Sequence, residues 1–118
     1  MDYEKIYSEL MDEYKTGMVA AETIGEAIVK LAHCFAEANF IMVNAEKKRN
    51  HIAREMEGQT DASGKSLSST KAAVMTAASE ESYLYDMARA NVQNIEQYIN
   101  SLKSLQKGVL GEYANSSY

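Results

Sequence analysis

Apolar residues recur at alternating steps of four and three positions along the first half of the chain. A seven-residue repeat of this kind keeps apolar side chains on one face of an α-helix and is typical of a coiled-coil seam. The pattern therefore predicts a long amphipathic helical region. Its positions are Tyr3, Tyr7, Leu10, Tyr14, Gly17, Ala21, Ile24, Ile28, Leu31, Phe35, Ala38, Met42, Ala45, Arg49, Ile52 and Met56.

Gly17 and Arg49 are the two positions of this repeat that do not fit an apolar seam. Because glycine costs about 1 kcal/mol relative to alanine inside a helix, we expect a kink or a break at Gly17. Further along, the segment EGQTDASGKSLSS has loop chemistry, and Ser68 or Ser69 can cap the helix after it. The predicted organisation of this single domain is an N-terminal helix over 2–15, a long helix over 18–56, a loop over 57–69, a long helix over 70–107 and a tail over 108–118.

The second long helix carries its own apolar stripe, which Glu81 and Gln106 interrupt. Two long helices joined by a loop of about a dozen residues should run antiparallel. Residues whose numbers add to about 126 should then face each other across the hairpin. The stripe consists of Val74, Ala78, Tyr85, Ala88, Val92, Ile95, Ile99, Leu102 and Val109. The predicted pairs are Ala45 with Glu81, Met42 with Leu84, Leu31 with Ile95, and Ile24 with Leu102.

Each long helix also has a second apolar row beside the first, and a pair of helices is too narrow to bury both rows. The N-terminal helix has little to pack on in its own chain except the C-terminal tail, so we expect self-association into a homodimer or a higher helical oligomer. The alternative is a monomeric three-helix bundle in which residues 2–15 fold back at Gly17. The second rows are Val29, Ala32, Ala36, Phe40 and Val43 on one helix, and Met75, Met87, Tyr98 and Leu105 on the other.

Composition supports an all-α fold, because the chain has no proline, six glycines and many strong helix formers. No apolar run approaches the roughly 20 residues of a membrane span, and the N-terminus is acidic and polar rather than a secretion signal. Cys34 is the single cysteine, which suits a reducing compartment. We therefore expect a protein of the cytoplasm.

The charge balance disfavours broad binding to nucleic acids. Twelve Lys and Arg against seventeen Asp and Glu give a formal net charge of −5, whereas affinity for nucleic acid comes mainly from neutralising phosphates. The distribution is uneven, since residues 47–54 contain four cations and no acid. A local cationic site is compatible with the acidic total.

The position of Arg49 inside an apolar seam has a structural and a functional interpretation. In the first, Arg49 pairs with Glu81 across the hairpin and fixes its register, while Lys47 and Lys48 are solvated cations near a helix C-terminus. In the second, folding brings cations from both helices to one end of the hairpin. Arginine binds phosphate with two parallel hydrogen bonds and stacks on bases. The predicted ligand-binding residues are Lys48, Arg49, Arg54, Lys71 and, for stacking, Tyr85.

No arrangement in the sequence supports catalysis or a metal site. His33 with Glu37 and His51 with Glu55 are pairs spaced by one helical turn, but di-metal bundles need a Glu-x-x-His motif on two helices, and the chain has none. Glycine-rich phosphate loops and nucleophile elbows are absent as well. We expect no enzyme activity, no cofactor and no resident metal.

The segment NIEQYINSLKSLQKGVLGEYANSSY, residues 94–118, resembles the C-terminal ends of small helical proteins from the early regions of bacteriophages and prophages. The resemblance consists of the pattern Ile-Glu-x-x-Ile-x-x-Leu-Lys-x-Leu followed by Glu-Tyr. It implies a role in counter-defence or DNA metabolism in the bacterial cytoplasm. Some such proteins resemble oligomeric sponges that trap nucleotide immune signals, such as cyclic ADP-ribose isomers, in basic pockets between subunits.

The leading hypothesis from the sequence is a non-enzymatic, homo-oligomeric helical bundle that sequesters a small anionic nucleotide signal, cyclic ADP-ribose-like or a cyclic nucleotide. The first alternative is a protein interaction module or inhibitor, whose tyrosine-rich N-terminal helix docks on a host or phage protein. The second alternative is an accessory factor in phage recombination that contacts single-stranded DNA through residues 47–54.

Overall fold

The fold is an all-α helical hairpin with an additional N-terminal helix, as the sequence predicts. The computed structural model describes the backbone of residues 2–116 and the side chains of residues 2–112. Within that part of the chain no helix is long and apolar enough to cross a membrane. The helices are α1 (Tyr3–Thr16), α2 (Ala21–Glu57), α3 (Ser69–Ala77) and α4 (Glu80–Ser116).

The contacts between residues group the chain into two compact units. Unit 1 consists of residues 1–37 and 92–118, and therefore contains α1, the first half of α2 and most of α4. Unit 2 consists of residues 38–91 and contains the rest of α2, the loop, α3 and the start of α4. The organisation of the whole chain as a single domain stays a prediction.

Unit 1 has a core of large aliphatic side chains. Its four largest fully buried residues, each with an exposed fraction of 0%, are Ile24, Leu31, Ile95 and Leu102. These four residues make up two of the predicted facing pairs, Leu31 with Ile95 and Ile24 with Leu102. Their predicted place in the core is confirmed. The side-chain amide of Gln106 also donates a hydrogen bond of 3.0 Å to the carbonyl oxygen of Ala21. These two residue numbers add to 127, close to the predicted register of the hairpin.

Helix α1 folds back on the rest of unit 1. It ends at Thr16, and the chain is non-helical from Gly17 to Ala20, which confirms the predicted break. The ring of Tyr7 stacks on Tyr98 of α4 with 4.2 Å between the ring centroids. The expectation that α1 has only the tail to pack on is therefore wrong, because Tyr98 of the second apolar row and the side of α2 provide the contact.

The predicted end of the second helix near Gly108 is also wrong, since α4 continues to Ser116. The seven-residue repeat explains the extension, because Val109 follows Leu102 by one repeat and is half-buried. A continuing apolar contact outweighs the intrinsic cost of about 1 kcal/mol for glycine in a helix. Residues 117 and 118 of the predicted tail lie outside the described residues.

The loop between α2 and α3 spans residues 58–68, close to the prediction. Ser68 caps α3 as expected, with its hydroxyl oxygen accepting a hydrogen bond from the backbone N–H of Lys71 at 3.2 Å. Inside the loop, the carboxylate of Asp61 accepts hydrogen bonds from the hydroxyl and the backbone N–H of Ser63 and from the backbone N–H of Lys65. These hydrogen bonds lower the pKa of Asp61 below its usual value, and the bond from the Ser63 hydroxyl has the largest effect.

The second arm of the hairpin is not one helix over 70–107, because it breaks at Ala78 and Ser79. The carbonyl oxygen of Thr76 accepts hydrogen bonds of 2.6 Å from the hydroxyls of both Ser79 and Ser82. The Ser79 hydroxyl oxygen also accepts a hydrogen bond from the backbone N–H of Ser82 in the first turn of α4. These local bonds satisfy the backbone groups that two helix ends leave open.

Candidate functional site

Arg49 and Tyr85, both predicted as ligand-binding residues, contact each other in unit 2. The guanidinium carbon of Arg49 lies 4.2 Å from the centroid of the Tyr85 ring, and both side chains are half-buried. A cation over an aromatic face is stabilised by the ring quadrupole, by about 0.5–1 kcal/mol at a partly exposed site. The misfit arginine in the seam is thus accommodated by a tyrosine of the opposite helix.

The predicted ion pair between Arg49 and Glu81 is absent from the described residues, so that part of the structural interpretation is wrong, whereas Lys47 and Lys48 are exposed as it predicts. Arg49 contacts Tyr85 instead, and these two residue numbers add to 134 rather than to about 126. Tyr85 lies one helical turn beyond Glu81 on the same helix, and its aromatic face provides a half-buried contact for the guanidinium.

The other predicted cations are not among the residues that line a groove beside Arg49. Lys48, Arg54 and Lys71 are exposed. The Nε of Arg54 donates to the carbonyl oxygen of Asn50 on its own helix at 3.4 Å. Binding of a ligand by these residues therefore stays a prediction, with Arg49 as its best-placed member.

A groove of about 360 Å³ lies beside Arg49 in unit 2. Its walls come from α2, α3 and the start of α4, and they consist mostly of small side chains. Arg49 is its one cation, and Glu57 places a carboxylate in the same lining. The lining thus carries one positive and one negative charge, which favours phosphate less than a lining with cations alone would. The lining residues are Arg49, Asn50, Ala53, Glu57, Ser69, Ala72, Ala73, Thr76, Ala77 and Ser82.

Unit 2 buries small side chains and exposes large ones. Its buried residues are Ala38, Ala72, Thr76, Ser82 and Ala88. Its exposed large apolar residues are Phe40, Ile41, Val43, Val74, Met75, Tyr83, Leu84 and Met87. The prediction that Val74 belongs to the buried stripe is wrong. Exposed apolar side chains in such number point to a binding surface.

Met87 and Ile41 continue helix faces that α1 contacts in unit 1, and Tyr83 and Leu84 lie one turn before Met87 on α4. Met87 precedes Tyr98 by eleven residues on α4, about three helical turns, so the two lie on one face of that helix. Ile41 follows Lys30 by the same interval on α2, and Lys30 lines the cleft against α1. We call Ile41, Tyr83, Leu84 and Met87 the uncovered face. In unit 1 the corresponding faces pack against α1, and in unit 2 they are exposed.

Only part of the uncovered face could be predicted from the sequence. Met87 lies in the second apolar row, whereas Leu84 was predicted to pair with Met42 and is instead half-exposed. The available signal was the acidic Ser-Glu-Glu-Ser sequence at 79–82, which is typical of a helix N-terminus and predicts the break between α3 and α4.

The described residues do not contain a cluster of three or more His, Cys, Asp or Glu side chains that could hold a metal ion. His51 Nε2 lies 3.0 Å from Glu55 Oε1, an exposed pair within one turn of α2. No known protein family, curated protein or solved structure matches this chain.

Proposed function

We propose that this chain is a non-enzymatic helical interaction protein that binds an amphipathic helix on the uncovered face of unit 2. The observation that carries the proposal is the contrast between the two units. Unit 1 buries Ile24, Leu31, Ile95 and Leu102, whereas unit 2 buries mainly alanines and leaves its large apolar residues in contact with solvent. A surface of this kind gains free energy when a partner removes it from water.

The contact with α1 indicates the kind of partner. In unit 1, the α4 face that contains Tyr98 is covered by an amphipathic helix, whose residues Tyr3 and Tyr7 contact the Tyr98 ring. The same face of α4 continues at Met87 with similar apolar character. A helix with apolar residues at helical spacing fits such a face in the way that α1 does.

Photo-crosslinking from two tyrosine positions tests this proposal. Tyr83 on the uncovered face and Tyr14 on α1 are exposed at 62% and 42%, and each can be replaced by benzoylphenylalanine. After irradiation of bacterial cells that express the full chain, we expect one stoichiometric protein adduct from position 83 and none from position 14. Equal adducts from both positions, or none from position 83, would contradict the proposal.

A second candidate is sequestration of a small anionic nucleotide signal, the function that the resemblance to phage proteins implies. The position of Arg49 favours it, because this residue lines the groove and a guanidinium binds phosphate and stacks on bases. Lys48, Arg54 and Lys71 give this candidate less support, because they are exposed and do not line the groove.

Thermal unfolding with added ligands tests this second candidate. A ligand that binds only the folded chain raises Tm, and saturation at 100 times Kd stabilises by about 2.7 kcal/mol. With cyclic nucleotides, cyclic ADP-ribose and inorganic phosphate as probes, we expect one probe to raise Tm by about 4 °C or more. The rise should vanish in Arg49→Gln and persist in Lys30→Gln. A flat response to every probe would exclude this candidate.

A further inference from the structure

We infer that the partner on the uncovered face is a second copy of this chain, packed unit 2 against unit 2. The inference rests on the proposed function and specifies its partner. It also limits the interface to one part of the molecule, because α1 already covers the equivalent surface of unit 1 through Tyr3 and Tyr7.

The distribution of charge favours this pairing. Residues 38–91 contain seven Lys and Arg and seven Asp and Glu, so unit 2 has no formal net charge. The whole net charge of −5 therefore belongs to unit 1. Two copies of unit 1 would repel each other, whereas two copies of unit 2 approach without net repulsion.

The exposed area is of the size that a dimer core needs. With 46–62% of each side chain exposed, the four residues of the uncovered face present about 400 Å². A standard interface takes about 800 Å² from each partner, and its apolar core is surrounded by a polar rim. The uncovered face therefore supplies about half of one side, and the flanking polar residues of α2 and α4 supply the rim.

Sedimentation velocity of the full chain over a range of concentrations tests the inference. The wild-type chain should reach twice the monomer mass of 13.1 kDa. Met87→Glu should weaken the dimer at least 100-fold, because a two-fold contact buries two unpaired carboxylates at once. Ser101→Glu adds the same charge at an exposed position of α4 in unit 1 and should leave the dimer intact. Since Met87 is half-exposed, its replacement should not unfold the monomer.

Two results would overturn the inference. One is a wild-type chain that stays monomeric at every concentration, and the other is a dimer that Met87→Glu and Ser101→Glu affect equally. The crosslinking experiment separates these failures from failure of the proposed function. An adduct from position 83 with a different protein supports the interaction function and excludes the second copy, whereas no adduct from position 83 overturns both.

Discussion

Replacing Leu102 with alanine is expected to lower the free energy of unfolding by about 3–4 kcal/mol. Leu102 has an exposed fraction of 0% and lies in the core of unit 1. Its truncation removes apolar contacts and leaves a cavity that two packed helices cannot fully close. The loss is measured by urea denaturation, followed by circular dichroism at a protein concentration low enough to keep the chain monomeric.

Leu110→Ala is the matched control, because it is the same substitution on the same helix. Leu110 is 54% exposed, so the expected loss is below about 1 kcal/mol. Equal losses from the two variants would mean that the core of unit 1 is not centred on Leu102. Alanine is the best helix former, so lower helix propensity cannot be the cause of a loss at either position.

Tyr98→Ala is expected to release α1 from unit 1 and to lower the free energy of unfolding by about 2–3 kcal/mol. The Tyr98 ring stacks on Tyr7 at 4.2 Å and contacts Tyr3 at 5.9 Å between centroids. Such aromatic pairs contribute about 0.5–1.5 kcal/mol beyond the area that they bury. Hydrogen exchange measures the release directly, because the backbone amides of α1 should lose protection while those around Leu31 keep it.

Tyr98→Phe is the control for this prediction, since it retains the ring and removes only the hydroxyl. It should keep the protection of α1 and most of the stability. If α1 stayed protected in Tyr98→Ala, the ring contacts would not be what holds α1 in place. If Tyr98→Phe released α1 as well, a hydrogen bond of the hydroxyl would be responsible instead.

The long-range organisation of unit 1 could be predicted from the sequence because its apolar repeat is strong. Leu31 and Ile95 lie in unbroken stripes, and both are fully buried as expected. Gly17 was a reliable break because a poor helix former stands where the repeat has no apolar residue to compensate. Gly108 does not end α4 as predicted, because the apolar repeat continues at Val109 and keeps the chain helical.

Unit 2 was harder to predict because local hydrogen bonds, rather than apolar periodicity, decide its backbone. The break between α3 and α4 contains neither proline nor glycine, and it depends on two serine hydroxyls that bond to the carbonyl of Thr76. The apolar pattern also gives no sign that Arg49 contacts the ring of Tyr85 rather than the carboxylate of Glu81. The sequence leaves open whether α1 folds back on its own chain. A pattern of apolar residues does not say whether the surface that covers a helix face belongs to the same chain or to another.

Oxidation of methionines by hydroxyl radicals tests most directly whether association covers the uncovered face of unit 2. Met87 and Met18 are 49% and 88% exposed, and they lie in unit 2 and unit 1. On raising the protein concentration, we predict that Met87 oxidises more slowly while the rate at Met18 stays constant. An unchanged rate at Met87, or equal slowing at both residues, would contradict the account.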